Sequence, residues 1–167
     1  MAITIRKAAI ADGRDVYDML QAIPANENGY MNSVNGMTFD EFRLWLISQV
    51  QSAEKTEIED GWKVPQTTYW LCEDGVPLGT GRIRHFLTDA LREEGGNIAY
   101  ALAPSARGRG LGKELLRLLI GECRKMGMER ALITVQNGNE PSARTALANG
   151  AVMEKKNDVR GWYWIEL

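Results

Sequence analysis

Histidine is almost absent from this sequence. His85 stands alone, and the two cysteines, Cys72 and Cys123, lie far apart with no Cys-x-x-Cys pair. A zinc site has too few donors, so no metal is expected and both cysteines are read as reduced, packed side chains. There is no excess of basic charge either, with 20 Lys and Arg against 22 Asp and Glu. Without a long-range positive field the chain has no means of gathering nucleic acid or an anionic membrane, and any anion must be gripped locally. Long apolar runs are missing as well. The start, Met1-Ala2-Ile3-Thr4-Ile5-Arg6, lacks the apolar stretch of a secretion signal, and no window approaches membrane-spanning length. The cytoplasm is the expected compartment. Repeats and low-complexity tracts are absent, and 167 residues suit one core, so a single domain over 1–167 is expected.

What is present is hydrophobic pattern of two periods. Ile3 and Ile5 alternate as in a strand; Asp12 then stands where an N-cap would open a helix carrying Val16, Met19, Leu20 and Ile23, which Pro24 ends. A polar stretch around Tyr30 and Met31 reads as a loop. Thr38 caps a second helix with Phe42, Trp45, Leu46 and Val50 on one face. Residues 67–72 and 78–85 make a hairpin about Asp74-Gly75, and a polar connection at 87–96 leads to a strand at 97–102. Leu111, Leu115, Leu118, Leu119, Cys123 and Met126 repeat at helical spacing up to Gly127. A buried strand at 130–136, a short helix at 139–149 stopped by Gly150, and strands at 151–156 and 160–166 complete the chain.

The segment Arg107-Gly108-Arg109-Gly110-Leu111-Gly112 joins a strand to that long helix. Glycines there let backbone N–H groups converge on a phosphate, and the helix N-terminus adds partial positive charge. A Walker A loop fails, since it needs glycine at Arg107 and Ser or Thr at Glu114. A dinucleotide fingerprint fails too, since it needs glycine at Lys113 or Leu115. A nucleotide-dependent enzyme is therefore disfavoured.

What is left is Arg-x-x-Gly-x-Gly, met by Arg107, Gly110 and Gly112 after Leu102-Ala103-Pro104. This pattern, and the order of elements over most of the chain, resembles the GNAT superfamily of N-acetyltransferases. The run Arg84-His85, Gly95-Gly96, Ile98, Tyr100, Pro104-Ser105 and Arg107 is similar to a bacterial subgroup of predicted acetyltransferases. The resemblance implies an α/β (α+β) fold: one N-acetyltransferase domain with a mixed, mostly antiparallel sheet of about seven strands, about four flanking helices and a splayed signature strand. It implies acetyl-CoA as acyl donor, coenzyme A as product, and a primary amine of a small molecule or peptide as acceptor. A homodimer is a further expectation from the family. The alternative is a non-catalytic acyl-CoA binding or sensing domain, distinguished by its lack of turnover.

By that resemblance Leu102 and Ala103 supply backbone bonds to the pantetheine arm, and Gly108, Arg109, Gly110, Leu111, Gly112 and Lys113 meet the pyrophosphate, with Arg107 and Arg109 adding charge. Asn139 matches an asparagine placed near the arm, with an ordinary N-cap as the competing reading, and Ser142 follows on the same helix. Counting seven residues on from Asn139, to the family's usual tyrosine acid, lands on Ala146, and the family's usual glutamate position holds Gly96 and Asn97. His85, with an ordinary pKa near ~6.5, and Tyr100, a phenol near the reaction centre, are the candidate proton-transfer groups; either is otherwise a structural residue, and transfer through water is the third reading.

On the acceptor side, Tyr30 is a candidate pocket residue and Glu27 a partner for a cationic amine. Glu54, Glu57, Glu59 and Asp60 form an acidic run read as a solvated connector, and alternation places Trp162 and Trp164 on one face, where core or dimer contact is expected.

Overall fold

The computed structural model describes residues 1–58 and 60–167; Glu59 of the acidic run lies outside the described residues. Strand β1 (Ile3–Lys7) leads into helix α1 (Arg14–Ala22), whose inward face is Val16, Met19 and Leu20. The residue before α1 that takes the cap position is Gly13, with no side-chain cap. Asp12, expected as that cap, is instead buried. Its carboxylate accepts from Arg6 Nη1 at 2.6 Å, the Ala9 N–H at 2.8 Å and Trp70 Nε1 at 2.7 Å. Donors from β1, from the loop after it and from Trp70 further along the chain outcompete one helix N–H, because a buried carboxylate is stable only when fully paired.

The polar stretch after Pro24 is not a plain loop. Two short strands, β2 (Asn26–Glu27) and β3 (Tyr30–Met31), pair across Asn28 and Gly29, both at positive φ (51° and 84°). Asn-Gly is the sequence pair best suited to such a turn. Asn32 fastens the segment from behind: its buried amide donates to the carbonyls of Leu20 (2.8 Å) and Ile23 (2.9 Å). Helix α2 (Phe39–Ser52) then opens on Thr38, the N-cap the sequence predicts, and Glu41 completes a reciprocal capping box with it.

Strands β4 (Gln66–Glu73) and β5 (Val76–Arg84) form the expected hairpin, and a short helix α3 (Asp89–Glu93) occupies the polar connection before β6 (Ile98–Leu102). A single 3-10 turn at Pro104–Ala106 precedes α4 (Leu111–Lys125). Then follow β7 (Arg130–Gln136), α5 (Glu140–Ala148), β8 (Val152–Lys156) and β9 (Arg160–Glu166). The strands assemble as two antiparallel sheets in the orders β1-β4-β5-β6 and β7-β9-β8. Together they hold the seven strands expected; β2 and β3 stand apart, and α3 makes the helices one more than expected.

Every residue from Thr67 to Cys72 in β4 is buried, because helices cover both faces. On one face α1 and α2 pack Val16, Leu20, Phe42 and Leu46 against Trp70 and Cys72. On the other α4 packs Leu115, Leu116, Leu119 and Cys123 against Tyr69, Leu71 and Ile83, and the same core continues under β7 and β9. Gly81 is required for this contact, since a Cβ there would lie 2.6 Å from Leu119. Both cysteines are free thiols in these cores. Trp162 is buried and donates Nε1 to the Arg92 carbonyl at 2.8 Å, tying β9 to α3. Trp164 lies under the Arg130 guanidinium, 3.9 Å from its ring centroid, and Lys155 lies 4.5 Å from the Trp162 ring, so cations cover part of that face.

Candidate active site

The two sheets meet at one point. The backbone N–H of Asn97 donates to the Leu132 carbonyl (2.8 Å), and its side-chain Oδ1 accepts from the Leu132 N–H (2.9 Å). Beside this junction Gly96, at φ +62°, approaches so closely that a Cβ would lie 2.5 Å from the Leu132 carbonyl oxygen. Beyond it β6 and β7 make no ladder, and a cleft of about 780 Å³ opens between them.

The edge of β6 facing that cleft is set by alternation. Asn97 C=O accepts from Arg84 N–H (2.7 Å) and Ala103 N–H donates to Leu78 C=O (2.9 Å), so the odd positions of β6 bond to β5. The backbone groups of Ile98, Tyr100 and Leu102 are thereby turned toward the open edge. Ala103 was expected beside Leu102 as a donor; its N–H is committed to Leu78 and it does not line the cleft. The Leu102 carbonyl accepts from Arg107 Nη2 at 3.2 Å.

At the far end of β6 the chain enters the glycine turn. Gly108 and Gly110 take left-handed φ of 76° and 75°, and Gly110 is the residue that opens α4. The first intrahelical donor shown at this end is the Glu114 N–H to Gly110 C=O, so the N–H groups ahead of it have no helical acceptor. Gly108, Gly110, Gly112 and Lys113 line the cleft; Leu111 is buried in the core beneath. The arginine side chains diverge. Arg107 lines the cleft and pairs with Glu27 at 2.5 Å, whereas Arg109 turns outward to Glu73 at 2.5 Å.

Asn139 lines the opposite wall, and its side chain makes no helix cap. One turn into α5, Ser142 Oγ lies 3.1 Å from the Tyr100 hydroxyl, which reaches across from β6. Burial raises the Tyr100 pKa above its ordinary value, with Ser142 and Thr145 opposing in part. The phenol is therefore protonated at neutral pH. His85, the other candidate for proton transfer, does not line the cleft. Its Nε2 sits 2.8 Å from Thr67 Oγ1, and desolvation, followed by the charge of Lys7, lowers its pKa.

The β2–β3 hairpin overhangs the cleft. Glu27, Asn28, Gly29 and Tyr30 line it. Gly29 packs against Gln136 of β7, where a Cβ would lie 2.7 Å from Nε2, and the Tyr30 ring lies 4.8 Å from the Arg82 guanidinium. Glu27, expected to meet a cationic amine, spends its carboxylate on Arg107. Arg82, Arg84, Glu94 and Arg160 also line the cleft, and none of them stands out in sequence as a site residue. The usable signal is Arg82-x-Arg84 on a strand otherwise made of small and apolar residues.

A split sheet with one open strand edge running into a left-handed glycine turn at a helix N-terminus defines a cleft for an extended, phosphate-bearing ligand. Comparison places it in a known class. The model of the acetyltransferase (GNAT) family matches residues 36–150, and the chain belongs to that family. A comparison with curated proteins gives no match. Among solved structures, RimL, a ribosomal L7/L12 α-N-protein acetyltransferase in complex with coenzyme A, superposes with a TM-score of 0.75 at 14% identity, covering 100% of this chain and 95% of that one. The yncA protein of Salmonella typhimurium, with its cofactor acetyl-CoA, gives 0.64 at 17% identity over 100% and 95%. A spermidine N-acetyltransferase SpeG chimera from Vibrio cholerae and hSSAT gives 0.66 at 13% over 99% and 96%. The chain is thus a GNAT-fold acetyltransferase, and among the described residues no helix is long and apolar enough to cross a membrane.

Proposed function

We propose that this protein transfers an acetyl group from acetyl-CoA to a primary amine by direct attack in a ternary complex. The observation that carries the reading is the continuity of the open β6 edge with the glycine turn of α4. The N–H groups at Gly108, Gly110, Gly112 and Lys113 receive the pyrophosphate, with Lys113 adding charge. The pantetheine amides lie along Ile98, Tyr100 and Leu102, with Asn139 and Ser142 on the other wall. RimL and SpeG, whose names specify a protein α-amine and spermidine, act on amines, which supports the acceptor class.

In the reaction the ammonium first gives one proton to solvent, the free amine nitrogen attacks the thioester carbonyl carbon, and a backbone N–H at the open edge of β6 stabilises the oxyanion. The C–S bond then breaks. Tyr100 gives its proton to the departing thiolate and regains one from water, while the proton on the amine leaves to solvent. Ala146, at the position of the family's usual tyrosine, is fully buried, and Tyr100 reaches the same helix from the facing strand. His85 has no part in this scheme, because Thr67 holds it outside the cleft.

The test is the melting temperature of the purified protein titrated with acetyl-CoA and CoA, with ATP and NAD as controls. A rise with the CoA species alone, followed by thiol release with an amine panel, is expected. No rise overturns the reading, and a rise without turnover on any amine replaces it with a non-catalytic binding domain.

A further inference from the structure

The acceptor end of the cleft is cationic in a way that acetyl-CoA does not use. Arg82 and Arg84 pair with Ala99 and Asn97 at the start of β6, whereas Gly79 pairs with Leu102 at the glycine-turn end. At ~3.3 Å of rise per strand residue the two arginines stand roughly 10–16 Å from that turn, too far to serve the pyrophosphate. The other cations of the cleft have acidic partners: Arg107 pairs with Glu27, Arg160 with Glu94 at 3.6 Å and Arg144 with Glu140 at 3.7 Å, while Lys113 belongs to the glycine turn. No carboxylate among the described residues pairs with Arg82 or Arg84.

Their other contacts do not neutralise them. Arg82 has the Tyr30 ring and a long contact to the Met31 carbonyl (3.5 Å), and its buried Nε has no hydrogen-bond partner. Arg84 donates Nη1 to the Gly96 carbonyl at 3.2 Å, which uses one of its five donors. Burial, with repulsion from Arg82, pulls the Arg84 pKa down to about 10, so it remains charged at neutral pH. Supporting the Gly96 carbonyl is a structural task that one neutral donor could perform. A second guanidinium beside it, with a buried unpaired Nε and only the Tyr30 ring and a long Met31 contact to offset it, adds a repulsion that an arriving anion would relieve.

We propose that Arg82 and Arg84 form an anion-recognition pair at the acceptor end of the cleft, so that the amine acetylated here carries an acidic group, a carboxylate or a phosphate ester, near its amino group. This rests on the acetyl-transfer reading above and narrows its substrate class. Glu94, exposed at the same end and shared with Arg160, leaves the overall field there positive, which disfavours polycationic amines.

The experiment compares matched acceptors in thiol release: the common amino acids against their amides, and O-phosphoethanolamine against ethanolamine. Binding of the N-acetylated amino acids and of phosphoethanolamine is measured separately by calorimetry without acetyl-CoA. In the wild-type protein at least one acidic member should exceed its neutral partner about 10²-fold in kcat/KM, the loss expected when charge-assisted hydrogen bonds are removed. R82Q and R84Q should erase that preference, and R84K should retain part of it, while the melting-temperature rise with acetyl-CoA persists and certifies the fold. A preference for carboxylates or for phosphate identifies the source of the anion. Equal use of neutral partners, or a preference unchanged in R82Q and R84Q, overturns the inference and leaves acetyl transfer standing. Loss of acetyl-CoA binding with acid binding intact does the reverse.

Discussion

Tyr100 on β6 and His85 just past the end of β5 are both polar side chains, yet their surroundings assign them opposite tasks. The Tyr100 hydroxyl spans the cleft to Ser142 and is kept protonated by burial. Tyr100→Phe preserves the ring packing and removes only the acid, so thiol release should fall by about 10²-fold while acetyl-CoA affinity is unchanged. Equal rates for the two proteins in a single-turnover assay would remove Tyr100 from the mechanism. His85→Ala should leave transfer nearly untouched and weaken folding by about 1 kcal/mol through the lost Thr67 contact. His85 also carries a pH signature. Its folded pKa is depressed below the ordinary 6.5, so the unfolded chain binds more protons in that window. Its contribution to stability is complete above about pH 6.5 and is lost as pH falls through the folded pKa. Urea melts from pH 7 to 5 should show a shallower decline for His85→Ala than for the wild type.

At the scale of elements, the strand-to-helix turn from β6 to α4 carries the strictest backbone demand. Gly110 opens α4 in the left-handed region with open space around its Cα, so a side chain there meets strain rather than a clash. Gly110→Val should cost about 1–2 kcal/mol in stability and raise the Kd for acetyl-CoA at least tenfold, read by urea melts and calorimetry on the same preparation. Undiminished affinity would move the phosphate site elsewhere. This turn was legible in the sequence because glycine spacing reports backbone geometry directly. The helices α1, α2 and α4 are legible because each buries one face at a period of three to four residues, whereas α5 is legible from Asn139 and Gly150 at its ends. The β2–β3 hairpin has only Asn28-Gly29 to signal it, since strands of two residues show no alternation. Asp12 departs from its sequence pattern for a different reason: an N-cap is a local property, whereas Arg6 and Trp70 reach it through the tertiary fold. Arg84 stands in the run that carries the family resemblance, but the joint role of Arg82 and Arg84 is not legible, because strand periodicity says which face a residue takes and not which cleft that face borders.

The shape of the whole molecule depends on one closed point between two sheets. The family resemblance implies a splayed strand, and the residue that closes the splay is Asn97, which with Gly96 fills the stretch where that resemblance would place a glutamate. Asn97 is almost fully buried, at 3% exposure, and its amide serves both sides: Nδ2 donates to Arg84 C=O at 3.0 Å and Oδ1 accepts from Leu132 N–H at 2.9 Å. An acid there would present the Arg84 carbonyl with a second acceptor, so only an amide satisfies both partners. Asn97→Ala leaves a buried donor and a buried acceptor unpaired, which should cost about 2–4 kcal/mol. The effect should exceed stability, because the β6 start and Leu132 set the angle at which the cleft opens. Acetyl-CoA affinity, measured well below the lowered Tm, should therefore fall by about tenfold or more, whereas a destabilised protein with an intact cleft angle would bind as the wild type does.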